Sequence, residues 1–144
     1  MLNSMTEPPL LVADVNGRAL RFFRPPRREA PDLPWIALDD LERCLGFPPE
    51  VRETMLRQLK LSDWRAETMT VASEGEIVTV IPHFIAQGLI ESCIAAGIAP
   101  PETDRGYYRA APKALKAMVA HLPPGERALR ALEAMAGGLD RDGG

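Results

Sequence analysis

Basic side chains are the groups in this sequence whose type and spacing best suggest chemistry, and that chemistry is phosphate binding. A guanidinium group matches phosphate oxygens with two parallel hydrogen bonds. One basic set lies between positions 18 and 28, and a second lies between positions 52 and 65. The candidate nucleic-acid-binding residues are Arg18, Arg21, Arg24, Arg27, Arg28, Arg52, Arg57, Lys60 and Arg65. They predict a surface that follows the phosphate backbone of double-stranded DNA.

The same residues also have an interpretation without nucleic acid. Arg18 and Arg21 would be solvated outward positions of a strand, and the arginines of the following loop would pair with Glu29 and Asp32. The second set would form the solvated face of a helix. The formal net charge of −3 favours this interpretation, because proteins that hold nucleic acid through phosphates usually carry a strongly basic face.

Residues that bind metals or perform covalent chemistry are few and widely spaced. His83, His121, Cys44 and Cys93 form no pair at metal-ligand spacing. The two cysteines are expected to be buried free thiols in helices, which is typical of a cytoplasmic protein. The sequence carries no nucleophile elbow, P-loop or dinucleotide-binding glycine motif. We therefore expect neither an enzyme nor a bound cofactor or metal.

Two β-hairpins are predicted from the alternation of apolar residues. The four strands would span residues 10–15, 18–23, 67–72 and 76–81. Asn16-Gly17 connects the first pair and is the dipeptide best suited to a type I′ turn. Ser73-Glu74-Gly75 connects the second pair, with Gly75 at a position of positive φ. A further short strand is expected at Trp35, and no internal repeat is apparent.

Helical periodicity covers most of the remaining chain. The predicted helices span residues 39–45, 48–60, 83–96, 112–122 and 124–136, and glycines or prolines stand at their ends. We expect residues 102–111 to form a loop and residues 137–144 to form a disordered tail. Leu129, Leu132 and Met135 of the last helix are expected to pack on the core or to form a dimer contact.

These elements predict an α+β fold in which a small antiparallel sheet, made from the two hairpins, packs against helices and precedes a C-terminal helix pair. The expected units are an α+β domain over 1–100, a C-terminal helical extension over 101–136 and the tail over 137–144. No run of about 18 to 20 apolar residues suggests a membrane-spanning helix. We therefore expect a cytoplasmic protein without membrane contact.

The order of these elements resembles that of the Bro N-terminal domain, the antirepressor-type module of phage and viral proteins. The matching features, which lie between Asp14 and Gly97, are the strand after Gly17, Trp35, Asp39 or Asp40, Leu45-Gly46-Phe47, Thr70 with Gly75, and Gly88-Leu89. The resemblance implies a DNA-binding or antirepressor-type transcriptional regulator of phage or plasmid origin, with duplex DNA or a repressor protein as partner. It implies no cofactor and no catalysis.

The chain departs from that family in two respects, and an alternative function follows. The family's modules are more basic, and the segment after Gly97 does not match their usual continuation. The alternative is a protein–protein interaction module that oligomerises, as a homodimer for example, through its C-terminal helices without binding nucleic acid. The net negative charge favours it.

Reversing the charge of Arg24, Arg27 and Arg28 to Glu tests the DNA-binding hypothesis. The triple variant is expected to fold normally and to lose retention of random-sequence duplex DNA, because phosphate contacts supply non-specific affinity. Fluorescence anisotropy over a salt series measures retention, and circular dichroism monitors folding. Unchanged binding by the variant would remove this surface from the hypothesis.

Overall fold

The computed structural model describes residues 7–26, 31–51, 53, 54 and 68–143, and it describes 138–143 by their backbone alone. These residues form a five-stranded sheet and the helices around it. The strands are β1 (Leu11–Val15), β2 (Arg18–Phe23), β3 (Trp35–Ala37), β4 (Met69–Ser73) and β5 (Glu76–Ile81). The helices are α1 (Leu38–Leu45), α2 (His83–Ala95), α3 (Glu102–Val119) and α4 (Pro124–Gly143). The α+β prediction is confirmed. Of the helix predicted over 48–60, the described residues 49–51, 53 and 54 are helical, and its remainder lies outside the described residues.

The sheet is antiparallel throughout, in the order β1-β2-β3-β5-β4. Both predicted hairpins are present. Asn16 and Gly17 have φ values of 56° and 79°, and Glu74 and Gly75 have φ values of 49° and 84°. Two successive positive φ angles are typical of a type I′ turn, whose twist matches that of the strands it joins. β3 connects the hairpins, because it pairs with β2 on one side and with β5 on the other.

The two hairpins are structurally equivalent, although no repeat is apparent in the sequence. β2 and β5 have the same order of exposed and buried residues. Both run antiparallel to β3 and therefore parallel to each other. Leu20 and Phe22 of β2 belong to the larger core, whereas Val78 and Val80 of β5 belong to the smaller cluster on the other face of the sheet. Equivalent positions of the two hairpins therefore face opposite sides of the sheet.

The larger core lies between one face of the sheet and the helices. Each of α1, α2 and α3 contributes buried side chains to it, including Leu41, Leu45, Ile85, Leu89, Tyr107 and Ala114. The smaller cluster on the other face contains Trp35, whose indole N–H donates to the carboxylate of Asp32 at 3.0 Å. Trp35 is fully buried, which is the ordinary structural role of a Trp at an element junction.

α3 corrects the prediction of a loop over 102–111. The helix begins at Glu102 and continues through Pro112. Its buried residues Thr103, Tyr107, Ala110 and Ala114 follow helical spacing, and burial of this stripe offsets the hydrogen bond that a proline cannot donate. The prediction placed Pro112 at a helix start, which is the position that proline prefers. Because Tyr107, Ala110 and Ala114 belong to the larger core, the predicted helical extension shares the core of the predicted first domain.

α4 also continues beyond its predicted end. The sequence predicts a disordered tail from residue 137, whereas the helix extends to Gly143. Glycine lowers helix propensity without forbidding a helix. At Gly137 the absence of a side chain is also required, because a Cβ there would overlap the carbonyl oxygen of Pro31. Close contact with the segment before β3 therefore supports α4 at this position.

The junction between β3 and α1 is held by the carboxylate of Asp40. β3 pairs with β2 only through Ile36 and Trp35, so the Arg21 N–H has no strand residue to donate to. It donates instead to Asp40 Oδ2 at 2.9 Å. The Arg21 guanidinium donates to both carboxylate oxygens, at 2.8 and 3.1 Å, and Arg43 donates at 2.8 Å. Asp40 is only 3% exposed, so these donors compensate for the desolvation of its charge.

Arg21 also connects this junction to the second hairpin. Its Nη1 donates to Glu76 Oε1 on β5 at 3.0 Å. The hydrogen bond to Asp40, and then that to Glu76, raises the pKa of Arg21 against the opposing effect of burial. The guanidinium therefore stays charged while it joins β2, α1 and β5.

Replacement of Asp40 by Asn tests the role of this junction. The variant is expected to lose about 2–4 kcal/mol of stability, because it removes the buried charge that Arg21 and Arg43 share and leaves Arg21 only the exposed carboxylate of Glu76. Glu76→Gln is the matched control, because Glu76 contacts the same arginine but its side chain is 60% exposed. It should cost less than about 1 kcal/mol. Urea denaturation measures the loss of stability in each variant. Equal losses in the two variants would contradict the role of Asp40 at this junction.

Candidate functional site

The described arginines of the first basic set occupy three different environments. Arg18 is exposed. Arg21 is engaged by Asp40 and Glu76, and Arg24 donates through Nη1 to the backbone carbonyl of Met118 at 3.2 Å. The other predicted nucleic-acid-binding residues, which are Arg27, Arg28, Arg52, Arg57, Lys60 and Arg65, lie outside the described residues.

An open groove lies between the two hairpin turns, over the start of α1. The charged side chains along it are Arg18, Arg21, Arg43, Asp40, Glu74 and Glu76. Its three arginines are balanced by three carboxylates, and a phosphate backbone is attracted by a net positive field. The described part of the first basic set therefore offers a phosphate little net attraction.

A second concavity, which we call the aromatic pocket, is apolar and has a volume of about 250 Å³. Its walls come from β2, α2, α3, α4 and the segment before β3. The side chains that define it include Phe22, His83, Tyr107, Tyr108, Leu115 and Met135. None of the lining residues that the structure describes is Asp, Glu, Lys or Arg.

Three aromatic rings form one side of the aromatic pocket. His83 stacks on Tyr107 with ring centroids 5.5 Å apart and an interplanar angle of 15°. Tyr108 lies edge-on to both rings. Burial raises the pKa of Tyr107, so its phenol stays protonated. The Tyr107 hydroxyl lies 2.6 Å from His83 Nδ1, so the two groups share a hydrogen bond whose donor is set by the tautomer of His83.

Sequence reasoning did not find this pocket. It placed His83 at the first residue of a predicted helix, and it placed Tyr107 and Tyr108 in a predicted loop. The available signal was the spacing of Tyr107 from Thr103 and Ala110, which is that of a buried helix face. No spacing in the sequence relates His83 to Tyr107, because their contact depends on the packing of α2 against α3.

α4 carries large apolar side chains on the surface of the protein. Leu129, Leu132 and Met135, which we call the outer stripe, are 56%, 64% and 45% exposed. The residues that α4 turns towards α2 and α3 are smaller: Ala134 is 2% exposed, and Ala131 is partly buried. A surface helix ordinarily has the opposite arrangement, with its large apolar residues facing the core.

Other candidate chemistry in the described residues is limited. Cys44 and Cys93 are free and buried, as predicted. Within the described ranges, no group of three or more His, Cys, Asp or Glu side chains is placed to hold a metal ion. In the same part of the chain, no helix combines the length and apolar character needed to cross a bilayer.

Comparison with known proteins returned no matching family model, curated protein or solved structure. The resemblance to the Bro N-terminal domain therefore stays a prediction. The balanced groove, the aromatic pocket and the outer stripe are the features that bear on function.

The buried thiols give a prediction about pH. Burial raises the pKa of Cys44 from 9.0 to about 12 and also raises the pKa of Cys93. Because the folded state holds the Cys44 proton more tightly than the unfolded state, the resulting stabilisation is complete below about pH 9 and is lost between pH 9 and about 12. Urea denaturation should show a smaller loss of stability over that interval for Cys44→Ser than for the native protein.

Thiol reactivity is a second measure of how far burial protects Cys44 and Cys93. The folded protein should react slowly with a disulfide reagent at pH 8 and rapidly in denaturant, because the thiolate is the reactive form. Rapid reaction of both thiols in the folded protein, or an identical pH dependence for Cys44→Ser, would contradict this description of the site.

Proposed function

We propose that the protein is a protein–protein interaction module that forms a homodimer through the outer stripe of α4. The observation that carries the proposal is the orientation of this helix, which turns alanines inward and Leu129, Leu132 and Met135 outward. Complete burial of one such side chain stabilises by about 1.5–3 kcal/mol relative to exposure. Association therefore gains most along this stripe.

A second copy of the chain is the partner that the outer stripe suits best. In an antiparallel pair of α4 helices with Leu132 on the twofold axis, Leu129 of each copy lies opposite Met135 of the other. The same apolar surface then serves both protomers, which is the condition for a closed isologous dimer. No second apolar surface is required.

The charges beside the outer stripe are also self-complementary. Arg130 and Glu133 lie on one edge of α4, 3.9 Å apart from Nε to Oε1, and their side chains are 65% and 43% exposed. Antiparallel helices bring equivalent edges together, so Arg130 of each protomer would lie opposite Ala134 and next to the partner's Glu133. Opposite charges at these positions favour the antiparallel register over a parallel one.

The DNA-binding or antirepressor-type regulator of phage or plasmid origin remains the other hypothesis. Its support is the sequence resemblance and the two basic sets. Most residues of these two sets lie outside the described residues. A homodimer is compatible with it, since many duplex-binding modules use twofold symmetry to contact two half-sites. The arginine variants and the outer-stripe variants test the two hypotheses separately.

Replacement of Leu132 by Glu tests the dimer. The native protein is expected to sediment as a dimer and the variant as a monomer, because two carboxylates would meet at the twofold axis without partners. Ile77→Glu is the matched control, since Ile77 is 73% exposed on β5 and lies away from α4. It should leave the dimer intact. Circular dichroism should show the same helix content in all three proteins.

Charge reversal tests the antiparallel register. Arg130→Glu alone should weaken the dimer by about tenfold, and addition of Glu133→Arg should restore it, because opposite charges then face each other again. A monomeric native protein at about 100 µM, a concentration at which even a modest dimer forms, would refute the proposal. Failure of the double variant to recover would refute the register alone.

A further inference from the structure

We infer that the aromatic pocket is a binding site for a neutral, planar aromatic molecule of one or two rings. The described residues that line the pocket come from β2, α2, α3, α4 and the segment before β3. Met135 belongs both to this wall and to the outer stripe, so the pocket and the proposed dimer contact share one residue of α4, whereas the ligand is held by side chains of a single protomer.

The volume of the pocket sets the size of the ligand. The pocket encloses about 250 Å³. A dry cavity of about 150 Å³ lined by apolar side chains accommodates benzene, whereas pockets for drug-sized molecules begin at about 300 Å³. The space is therefore suited to a molecule the size of indole or naphthol.

The shape of the walls favours a flat ring. Phe22 and Tyr107 are stacked with centroids 6.0 Å apart, and Tyr108 is edge-on to Tyr107 and 41% exposed. Phe22 and Tyr107 cover each other's ring faces and are almost fully buried, so Tyr108 offers the ring surface that a ligand can reach, and aromatic molecules pack against a ring by its face or by its edge. Leu115 and Met135 form apolar walls, and the flexible thioether of Met135 can adapt to the outline of a ligand.

The polarity of the walls favours a neutral ligand. Among the described lining residues there is no Asp, Glu, Lys or Arg, so these walls offer no counterion to a carboxylate or ammonium group that loses its hydration there. The Tyr107 hydroxyl and His83 Nδ1 are joined to each other at 2.6 Å, and most of the described lining residues are apolar, so shape and apolar contact dominate recognition.

Titration of the protein with indole tests this inference. Methionine labelled with ¹³C in its methyl group places a reporter at Met135 in the wall, and Met118, which does not line the pocket, serves as an internal reference. Indole should shift the Met135 signal in a saturable manner with a Kd on the order of 1 mM or tighter. Indole-3-acetate should bind at least about tenfold more weakly, because its charge has no partner there.

Two alanine-to-leucine variants on α3, one inside the pocket and one outside it, test whether a filled pocket loses indole. Ala111→Leu places a larger side chain in the pocket wall and should weaken indole binding by at least about tenfold. Ala117→Leu, the same change on the same helix but outside the pocket, should leave binding unchanged. Tyr108→Ala alters only the partly exposed wall, so it should fold and bind indole several-fold more weakly even if Ala111→Leu does not fold.

Binding should persist in the Leu132→Glu variant, which separates this site from the proposed dimer. Loss of the dimer with retained indole binding supports the pocket independently of the oligomeric state. A Met135 shift that rises linearly without saturation, or indole binding that neither Ala111→Leu nor Tyr108→Ala weakens, would overturn the inference.

Discussion

The hydrogen bonding of Asp40 is the interaction on which the arrangement of sheet and helices depends. β3 contains only three residues and then becomes α1, so its neighbour β2 would be left with an unsatisfied backbone N–H at Arg21. The Asp40 carboxylate accepts that N–H and the Arg21 guanidinium together. Because Arg21 also reaches Glu76 on β5, one buried charge fixes the position of α1 relative to both hairpins.

Because Arg21 has this structural role, the first basic set is less suited to phosphate binding than the sequence suggests. A guanidinium that forms three hydrogen bonds to carboxylates exchanges protein partners for phosphate only at a large cost in desolvation and lost contacts. The groove beside it carries balanced charge. The outer stripe and most of the aromatic pocket, on which the two proposals rest, lie instead on the C-terminal helices.

The outer stripe and the aromatic pocket have a common origin in the way α3 and α4 pack. Tyr107 anchors α3 in the larger core, and among the described side chains of α4 only Ala134 is almost fully buried. Small inward residues allow close approach of the helix backbones but do not fill the space beside Phe22, Tyr108 and Ala111. They also leave the large residues of α4 facing outward. One choice of residues on α4 thus produces both a cavity and an exposed apolar surface.

The sequence by itself determined the hairpins, the end of α1 at Gly46 and the helical character of 83–95, because turn chemistry, left-handed glycine and apolar periodicity act over a few neighbouring residues. It did not determine that Pro112 lies within a helix, since burial of Tyr107 and its neighbours outweighed a local signal. Nor did it determine that Arg21 binds Asp40, that His83 meets Tyr107, or that Leu129 and Leu132 face outward. Each of these depends on which elements become neighbours in space, and that is decided by packing of the whole core.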